Sequence, residues 1–402
     1  MLGRLATGIL GAALVAALFV APGCDSGGPT PAADASSGGL GGEGGNRGAE
    51  LGGTPVGGSE VLGGSGTTDP GGVSAGQSGS VAFGGDAGRG ADDESAGRGG
   101  APGAGGNGAA AGDGLGPLLT PAQGALLGAH VGTGTLAELE ATLGRKLAVV
   151  HKFYAWRDNW PSWVATTLQG GQIPLVTWEP WTGGVGIPLD EILGGTHDAM
   201  IRERAQAAKA VAARFFLRWG HEMNGNWYPW DGFHNGKNAA AVAKYVAAYR
   251  HLHDLFTAEG TSNVVWVFCP NFESVPRDDW NKWTGYYPGD AYVDWMAFDG
   301  YNRGTSEDGS TWRSFATVTG LVYSGLAAKG KPIMIAETAS TEDGGDKAAW
   351  IKAILPALRS SFPAIKALIW FHTIKSTDWR VDSSAASRAA FVPLANDPYF
   401  NP

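Results

Sequence analysis

Arg214-Phe-Phe-Leu-Arg-Trp-Gly-His-Glu-Met-Asn-Gly-Asn-Trp-Tyr-Pro-Trp230 decides how the rest of the chain is read. It opens as an apolar run of the kind that forms a buried strand. It turns polar at His221, Glu222 and Asn224, and ends in three aromatics around Pro229. A carboxylate at the mouth of a buried strand, ringed by indoles, suits sugar chemistry. The carboxyl handles the proton, and flat aromatic faces stack on the C–H face of a pyranose.

The same alternation continues on both sides of this stretch. Strands are expected at 126–131, 147–154, 173–178, 214–220, 264–269, 293–299, 333–337 and 365–371. Helices are clearest at 136–144, 196–213, 239–259, 312–330 and 346–361, and in the third Val242, Tyr245, Val246, Tyr249, Leu252 and Phe256 mark one face at helical spacing. Eight strands alternating with helices over residues 118–402 predict a single (β/α)8, or TIM, barrel. A doubly wound sheet is the competing arrangement, but no Gly-rich phosphate loop follows the first strand.

The first 117 residues differ in kind. Arg4 followed by the apolar run 9–20 predicts an export signal over residues 1–23, too short for a comfortable membrane span. Ala21-Pro22-Gly23-Cys24 resembles a bacterial lipobox, which implies lipidation at Cys24. Residues 24–117 are dominated by Gly, Ala, Ser, Asp and Pro, and most of the chain's 65 glycines precede residue 117. Such a segment cannot bury enough apolar surface to offset the entropy of ordering it. It is expected to act as a flexible tether with an r.m.s. span on the order of 55 Å. Gly72-Val73-Ser74-Ala75-Gly76 fits G-x-S-x-G, but the strand and helix that a nucleophile elbow requires are missing from its flanks.

Net charge is −9, and Lys and Arg are not clustered, so nucleic-acid binding is disfavoured and a neutral substrate is favoured. The two cysteines are Cys24 and Cys269. With Cys24 acylated no disulfide framework exists, and Cys269 reads as a small buried hydrophobe.

Active sites of such barrels lie at the C-terminal ends of the strands. The fourth strand ends in His221-Glu222, the sixth in Phe298-Asp-Gly-Tyr-Asn302, the seventh carries Glu337, and the eighth carries Trp370-Phe-His372. Strands four and seven can face each other across the mouth. Two carboxyls about 5–5.5 Å apart there make a retaining glycosidase pair, and a wider gap admits water and inversion. Two other readings compete. His221-Glu222 begins like H-E-x-x-H, but Gly225 stands where the second His belongs, which removes the zinc-protease reading. Glu222 paired structurally with Arg218 is the bland alternative.

Four motifs in order, Arg218-Trp-Gly-His-Glu-Met-Asn-Gly-Asn-Trp227, Val293-Asp-Trp-Met-Ala-Phe-Asp-Gly-Tyr301, Ile335-Ala-Glu337 and the Trp370 strand, resemble family 26 glycoside hydrolases. The resemblance spans roughly residues 120–400. It implies Glu222 as acid/base, Glu337 as nucleophile and Tyr301 as the hydroxyl that bonds the nucleophile. It also implies that His221 and Trp227 shape the cleavage subsite and that Trp370 forms its floor. Arg218, Trp178, Glu179 and Asp299 are further substrate-binding candidates, and Tyr301 or Arg218 is the donor expected to hold Glu337 ionised. Trp156, Trp160, Trp163, Trp181, Trp280 and Trp283 lie near strand ends or loops, where some are expected to line a cleft. Many mannanases of the family read Trp-x-Trp-Trp-Gly after the acid/base; this chain reads Trp227-Tyr-Pro-Trp-Asp231, which leans toward members acting on mixed-linkage glucan. The expected function is therefore a surface-tethered, retaining endo-β-glycanase. Its substrate is β-1,4-mannan or mixed-linkage β-1,3/1,4-glucan. It acts as a monomer, needs no metal or cofactor, and meets the membrane only through a lipid anchor. A catalytically inactive glycan-binding lipoprotein and a purely structural surface protein are the alternatives.

Overall fold

The computed structural model describes residues 114–211 and 213–400. The signal segment, Cys24 and nearly all of the Gly-rich segment lie outside the described residues. Among the described residues, no helix is long and apolar enough to cross a membrane.

Eight parallel strands close into a ring in chain order. They are β1 (Leu126–Val131), β2 (Val149–Ala155), β3 (Ile173–Glu179), β4 (Phe215–Trp219), β5 (Val264–Phe268), β6 (Trp295–Asn302), β7 (Ile333–Ser340) and β8 (Ile365–His372), with β8 pairing back onto β1. The closed ring excludes the doubly wound alternative. Around it lie α1 (Leu136–Leu143), α2 (Trp160–Gln169), α3 (Leu189–Leu193), α4 (Asp198–Ala210), α5 (Ala239–Ala258), α6 (Phe315–Ala327), α7 (Lys347–Lys352), α8 (Ile354–Ser360) and α9 (Ala385–Ala395). The expected helix over 346–361 is two helices. Pro356 in the first turn of α8 lacks an N–H for the Lys352 carbonyl and its ring crowds it, so the chain breaks at Ala353. Between β5 and β6 the chain makes only three short 3₁₀ turns. After β3 a two-stranded ribbon, Trp181–Thr182 with Val185–Gly186, rises at the C-terminal mouth.

Alternation along the strands sorts side chains into two cores. Leu126, Val149, Leu175, Phe216, Val265, Val267, Trp295, Ala297, Met334, Ala336, Ala367 and Ile369 fill the barrel itself. The intervening residues face the helices, where Trp156, Trp160, Trp178, Phe215 and Phe256 pack ring on ring. Gly128 faces inward, where a Cβ would meet Val149 Cβ at 2.7 Å and Ile369 Cδ1 at 2.7 Å, so the barrel closes only with glycine there.

β7 departs from strict alternation. Against β6, Phe298 faces Ile335 but Asp299 faces Glu337; against β8, Leu368 faces Ile335 but Trp370 faces Thr338. Both shifts require one extra residue on β7, a bulge at Ala336. A bulge lets two consecutive side chains share a face. Ala336 packs in the inner core, and Glu337 also points into the barrel mouth.

The opposite pole is closed by residues 115–121. Leu115 bridges to Pro121, Leu118 O accepts the Trp295 indole N–H at 2.7 Å, and Leu119 joins the inner core. The segment therefore plugs the barrel floor beneath Trp295. Leu119→Ala is expected to lower unfolding stability by about 2 kcal/mol, at the low end for a buried leucine because the site is at the rim. Chemical denaturation with an unchanged midpoint would show that the plug is not part of the cooperative unit.

Candidate active site

Arg218 is the residue around which the mouth is organised. It is the inward position of β4 above Phe216, and it is fully buried. Its Nη1 donates to both oxygens of Asp299 at 2.7 and 2.8 Å, its Nη2 to Glu337 Oε1 at 2.5 Å, and its Nε to Thr177 Oγ1 at 2.7 Å. Nη2 also lies 3.2 Å from His151 Nε2. A guanidinium only donates, so that nitrogen must accept, and the neutral His151 carries its proton on Nδ1. The Thr177 hydroxyl, 2.7 Å from the same Nε2, then donates to it while accepting from Arg218. Cys269 Sγ lies 3.3 Å from Asp299 Oδ1 and donates to it, so this thiol is a member of the polar network and not only an apolar filler.

Burial works against the charge on Arg218, but Asp299 and Glu337 outweigh it and hold its pKa well above the ordinary value. His151 and His221 are driven well below the usual histidine range by burial first and by Arg218 second. Both are neutral at physiological pH. His221 Nε2 lies 3.9 Å from Glu337 Oε1, a contact that a neutral imidazole makes without forming an ion pair.

Glu337 is gripped from two sides. Besides Arg218 on Oε1, the Tyr301 hydroxyl donates to Oε2 at 2.6 Å. Tyr301 in turn packs against Phe371 and Trp379, with ring centroids 5.6 and 5.2 Å away.

Glu222 follows β4 in a different setting. Its φ of 52° lies in the left-handed region that non-glycine residues avoid, and it follows Gly220 at 54°. The turn is held by the Glu222 N–H, which donates to Cys269 O at 2.8 Å. Such strain is retained where the surroundings fix it, and here it aims the carboxyl at the mouth. Trp227 Nε1 donates to Glu222 Oε2 at 2.7 Å. The indole lies over Gly225, where a Cβ would meet ring atoms at 2.6 Å. The residue that excludes the zinc-protease reading is therefore the one that lets Trp227 reach the carboxyl. Burial first, and the charge of Glu337 second, push the Glu222 carboxyl up to about 7; the Trp227 bond opposes them.

Other expectations are corrected. Arg218 pairs with Asp299 and Glu337, not with Glu222. Neither Arg218 nor Asp299 is exposed, so they serve each other and Glu337, not substrate. Trp370 faces outward. It is fully buried against Trp350 and Phe391, and its Nε1 donates to Trp379 O at 2.8 Å, so it is not the floor of a subsite. Trp178 likewise lies between β3 and the helices, stacked on Trp156 at 4.5 Å. Both are even-numbered positions on strands whose odd positions face inward, and alternation alone assigns them outward. Trp230 is fully buried and donates to His221 O at 2.8 Å, while Tyr228 stacks on it at 4.3 Å. The Trp227–Trp230 tail is thus a wedge behind His221 that shows only Trp227 and part of Tyr228 to the mouth. Glu179, Glu222, Trp227, Tyr301 and Glu337 do converge there. Trp181, one of the tryptophans expected near a strand end, stands beside Glu179. Thr177, His151, Phe371 and Trp379 were not singled out by motif. The first two were visible as polar residues at inward positions of apolar strands.

His221, Glu222 and Asp299 each offer a ligand-type atom, all within 4.8 Å of one another. The chemistry of the set disfavours a cation, because both Asp299 oxygens already take the fixed positive charge of Arg218.

Residues 197–372 match the family described as glycosyl hydrolase family 26. Over 278 residues the chain is 41 % identical to Endoglucanase H of Acetivibrio thermocellus, covering 67 % of this chain and 30 % of that protein. Over 85 residues it is 40 % identical to the mannan endo-1,4-beta-mannosidase A and B of Caldalkalibacillus mannanilyticus, covering 20 % of this chain and 15 % of that one. The solved family 26 β-mannanase of Bacteroides ovatus shares the fold with a TM-score of 0.52 at 17 % identity, over 69 % of this chain and 90 % of that one.

The Trp227 bond sets a prediction of definite sign. It lowers the Glu222 pKa, so Trp227→Phe, which removes the donor and keeps the ring, is expected to raise that pKa above about 7. Gly225→Ala, which pushes the indole off the carboxyl, shifts it the same way. Carbon-13 NMR titration of labelled glutamates reads the shift; a fall in either variant contradicts the assignment.

Proposed function

We propose that the chain, which belongs to glycosyl hydrolase family 26, is a retaining endo-β-glycanase that cleaves by a Glu222/Glu337 double displacement. The observation that carries this reading is the unlike setting of two carboxyls at one mouth. Glu337 has both oxygens bonded, one by a guanidinium and one by a phenol. Among the described residues Glu222 faces no cation at bonding distance, and burial lifts its carboxyl to about 7. Splitting two carboxyls in this way is how one site holds an acid and a nucleophile together.

In the first step Glu222 gives its proton to the leaving glycosidic oxygen while the Glu337 carboxylate attacks the anomeric carbon. The C–O bond to the leaving sugar breaks as the glycosyl–Glu337 ester forms. In the second step Glu222, now ionised, takes a proton from water, whose oxygen attacks the same carbon and releases Glu337. Arg218 and Tyr301 keep the nucleophile oriented, and Trp227 fixes the acid. His221, neutral and wedged against Tyr228 at 4.8 Å, supports the wall between the two.

For the substrate we propose a β-glucan of mixed linkage before a mannan. The support is twofold: the long similarity is to a protein named an endoglucanase, and the Trp227-Tyr-Pro-Trp-Asp231 sequence departs from the mannanase pattern. For location we propose export and anchoring through Cys24, which rests on the lipobox-like sequence; palmitate labelling that survives Cys24→Ala would overturn it.

Purified protein assayed on defined mixed-linkage glucan, mannan and xylan tests the reading, with product anomers followed by NMR. Release of β-linked oligosaccharides with retained configuration is expected, and inverted products would reject the double displacement. Glu337→Ala is expected to abolish turnover. Glu222→Ala should lose about 10²–10⁴-fold on polysaccharide and much less on an aryl glycoside, whose leaving group needs no proton. Full activity in either variant would sink the assignment.

The pH dependence has a fixed sign. Glu222 must be protonated to act first as acid, so kcat/KM is expected to fall as pH rises through about 7. A rate that instead climbs steadily above that pH contradicts the role.

A further inference from the structure

The proposed chemistry uses two of the carboxyls at the mouth, Asp299 is held by Arg218, and one more stands beside them. Glu179 is the last residue of β3, on the inner face that Leu175 and Thr177 also occupy. It is 6 % exposed. Trp181 Nε1, from the ribbon after β3, donates to its Oε2 at 3.1 Å. Among the described residues Oε1 takes no hydrogen bond, and no cation lies at salt-bridge distance. Arg218 is committed to Asp299 and Glu337.

Next to this carboxyl runs an aromatic wall. Trp181 meets Tyr228 and Trp230 edge-on, with centroids 6.1 Å away in each case, and Tyr228 is stacked on Trp230. The ribbon that supplies Trp181 is seated on the wedge: a Cβ at Gly186 would meet Pro229 Cβ at 2.2 Å, so the two segments touch backbone to ring. A carboxyl with one oxygen uncommitted, beside the half-buried Trp181 ring and the nearly buried Tyr228 at the edge of the catalytic mouth, is shaped for a pyranose. The rings take its apolar face and the carboxyl takes a hydroxyl.

Resting on the glycanase reading above, we propose that Glu179 is a specificity-determining residue whose uncommitted Oε1 hydrogen-bonds a hydroxyl of the sugar unit held against Trp181 and Tyr228. It does not touch the reacting atoms and is not assigned a step in the reaction. Its selectivity follows from burial: a sugar that points its hydroxyl elsewhere leaves a desolvated acid without a partner, a penalty larger than the bond itself is worth.

The protonation state follows from what surrounds the group. Burial is the main cause that raises the Glu179 carboxyl, to about 8; the Trp181 bond opposes it, Glu337 on β7 adds to it, and Arg218 on β4 and Lys375 on the loop after β8 oppose it. The acid form is thus present at neutral pH and is lost as pH rises through about 8. Binding that depends on the donated proton weakens over that window.

The test uses the full chain as wild type, Glu179→Ala and Glu179→Gln. KM and kcat are measured separately on mixed-linkage β-glucan from pH 6 to 9, roughly one unit or more either side of the titration. Calorimetric binding of a mixed-linkage tetrasaccharide is measured in the Glu222→Ala background. Glu179→Ala is expected to raise KM and the dissociation constant about 10-fold with a smaller change in kcat. Glu179→Gln keeps a neutral donor, so it should recover most of that loss and flatten the rise of KM above pH 8. An Ala variant with unchanged KM, or a Gln variant as impaired as Ala, overturns the proposal while leaving the glycanase reading intact. Should Glu179→Ala fail to fold, as judged by its thermal midpoint, the Gln variant's pH profile and calorimetry still decide. Wild-type protein that neither binds nor cleaves any β-glycan overturns both.

Discussion

A guanidinium buried at the centre of a barrel is the constraint on which the active-site mouth depends. Taking a charge of that size out of water costs several kcal/mol even after relaxation, and the cost is tolerable only when every donor is met. Arg218 meets it with Asp299, Glu337, Thr177 and His151, contributed by four other strands. Each partner is thereby fixed in place by a charge that cannot be neutralised by losing a proton. The ion pair is poor evidence for stability, but it is an effective positioning device. It ties β2, β3, β6 and β7 to β4 at one height.

The second consequence is asymmetry. Glu337 lies inside this network, and Glu222 lies one turn beyond it. Glu222 is carried on a backbone conformation that removes it from the strand and hands it to an indole instead of a cation. Two chemically identical side chains therefore meet different fields within one cavity. Each device that produces the difference is small: a φ of 52°, a glycine whose missing Cβ admits a ring, and one extra residue in β7.

The barrel was legible in the sequence because burial on both faces of parallel strands writes near-continuous apolar runs, and eight of them alternate with helical patterns. The expected strand at 147–154 is observed as Val149–Ala155, and that at 333–337 as Ile333–Ser340. The extension of β7 past its glutamate was hidden because Thr338 and Ser340 are polar. They remain in the strand because their hydroxyls find backbone acceptors, Gly300 O and Thr341 O. The two glutamates were legible as charges interrupting apolar strand ends. Trp178 and Trp370 misled because an indole near a strand end looks the same whichever face it takes. Strand parity would have placed both against the helices. Parity would have failed for Glu337, where the bulge at Ala336 resets the phase.

The chain's own order of residues determined that there would be eight strands, which way each would run, and which two glutamates would stand at their ends. These are local consequences of hydrophobic period and turn chemistry. What tertiary structure decided is which groups meet: that Arg218 pairs with Glu337 and Asp299 and not with the Glu222 four residues away, that Gly225 makes room for Trp227, and that Glu179 takes the Trp181 indole and, among the described residues, no cation at salt-bridge distance. Such pairings depend on strand stagger, on a single bulge and on distances between segments far apart in the chain. No local pattern encodes these, because they arise only when the barrel closes.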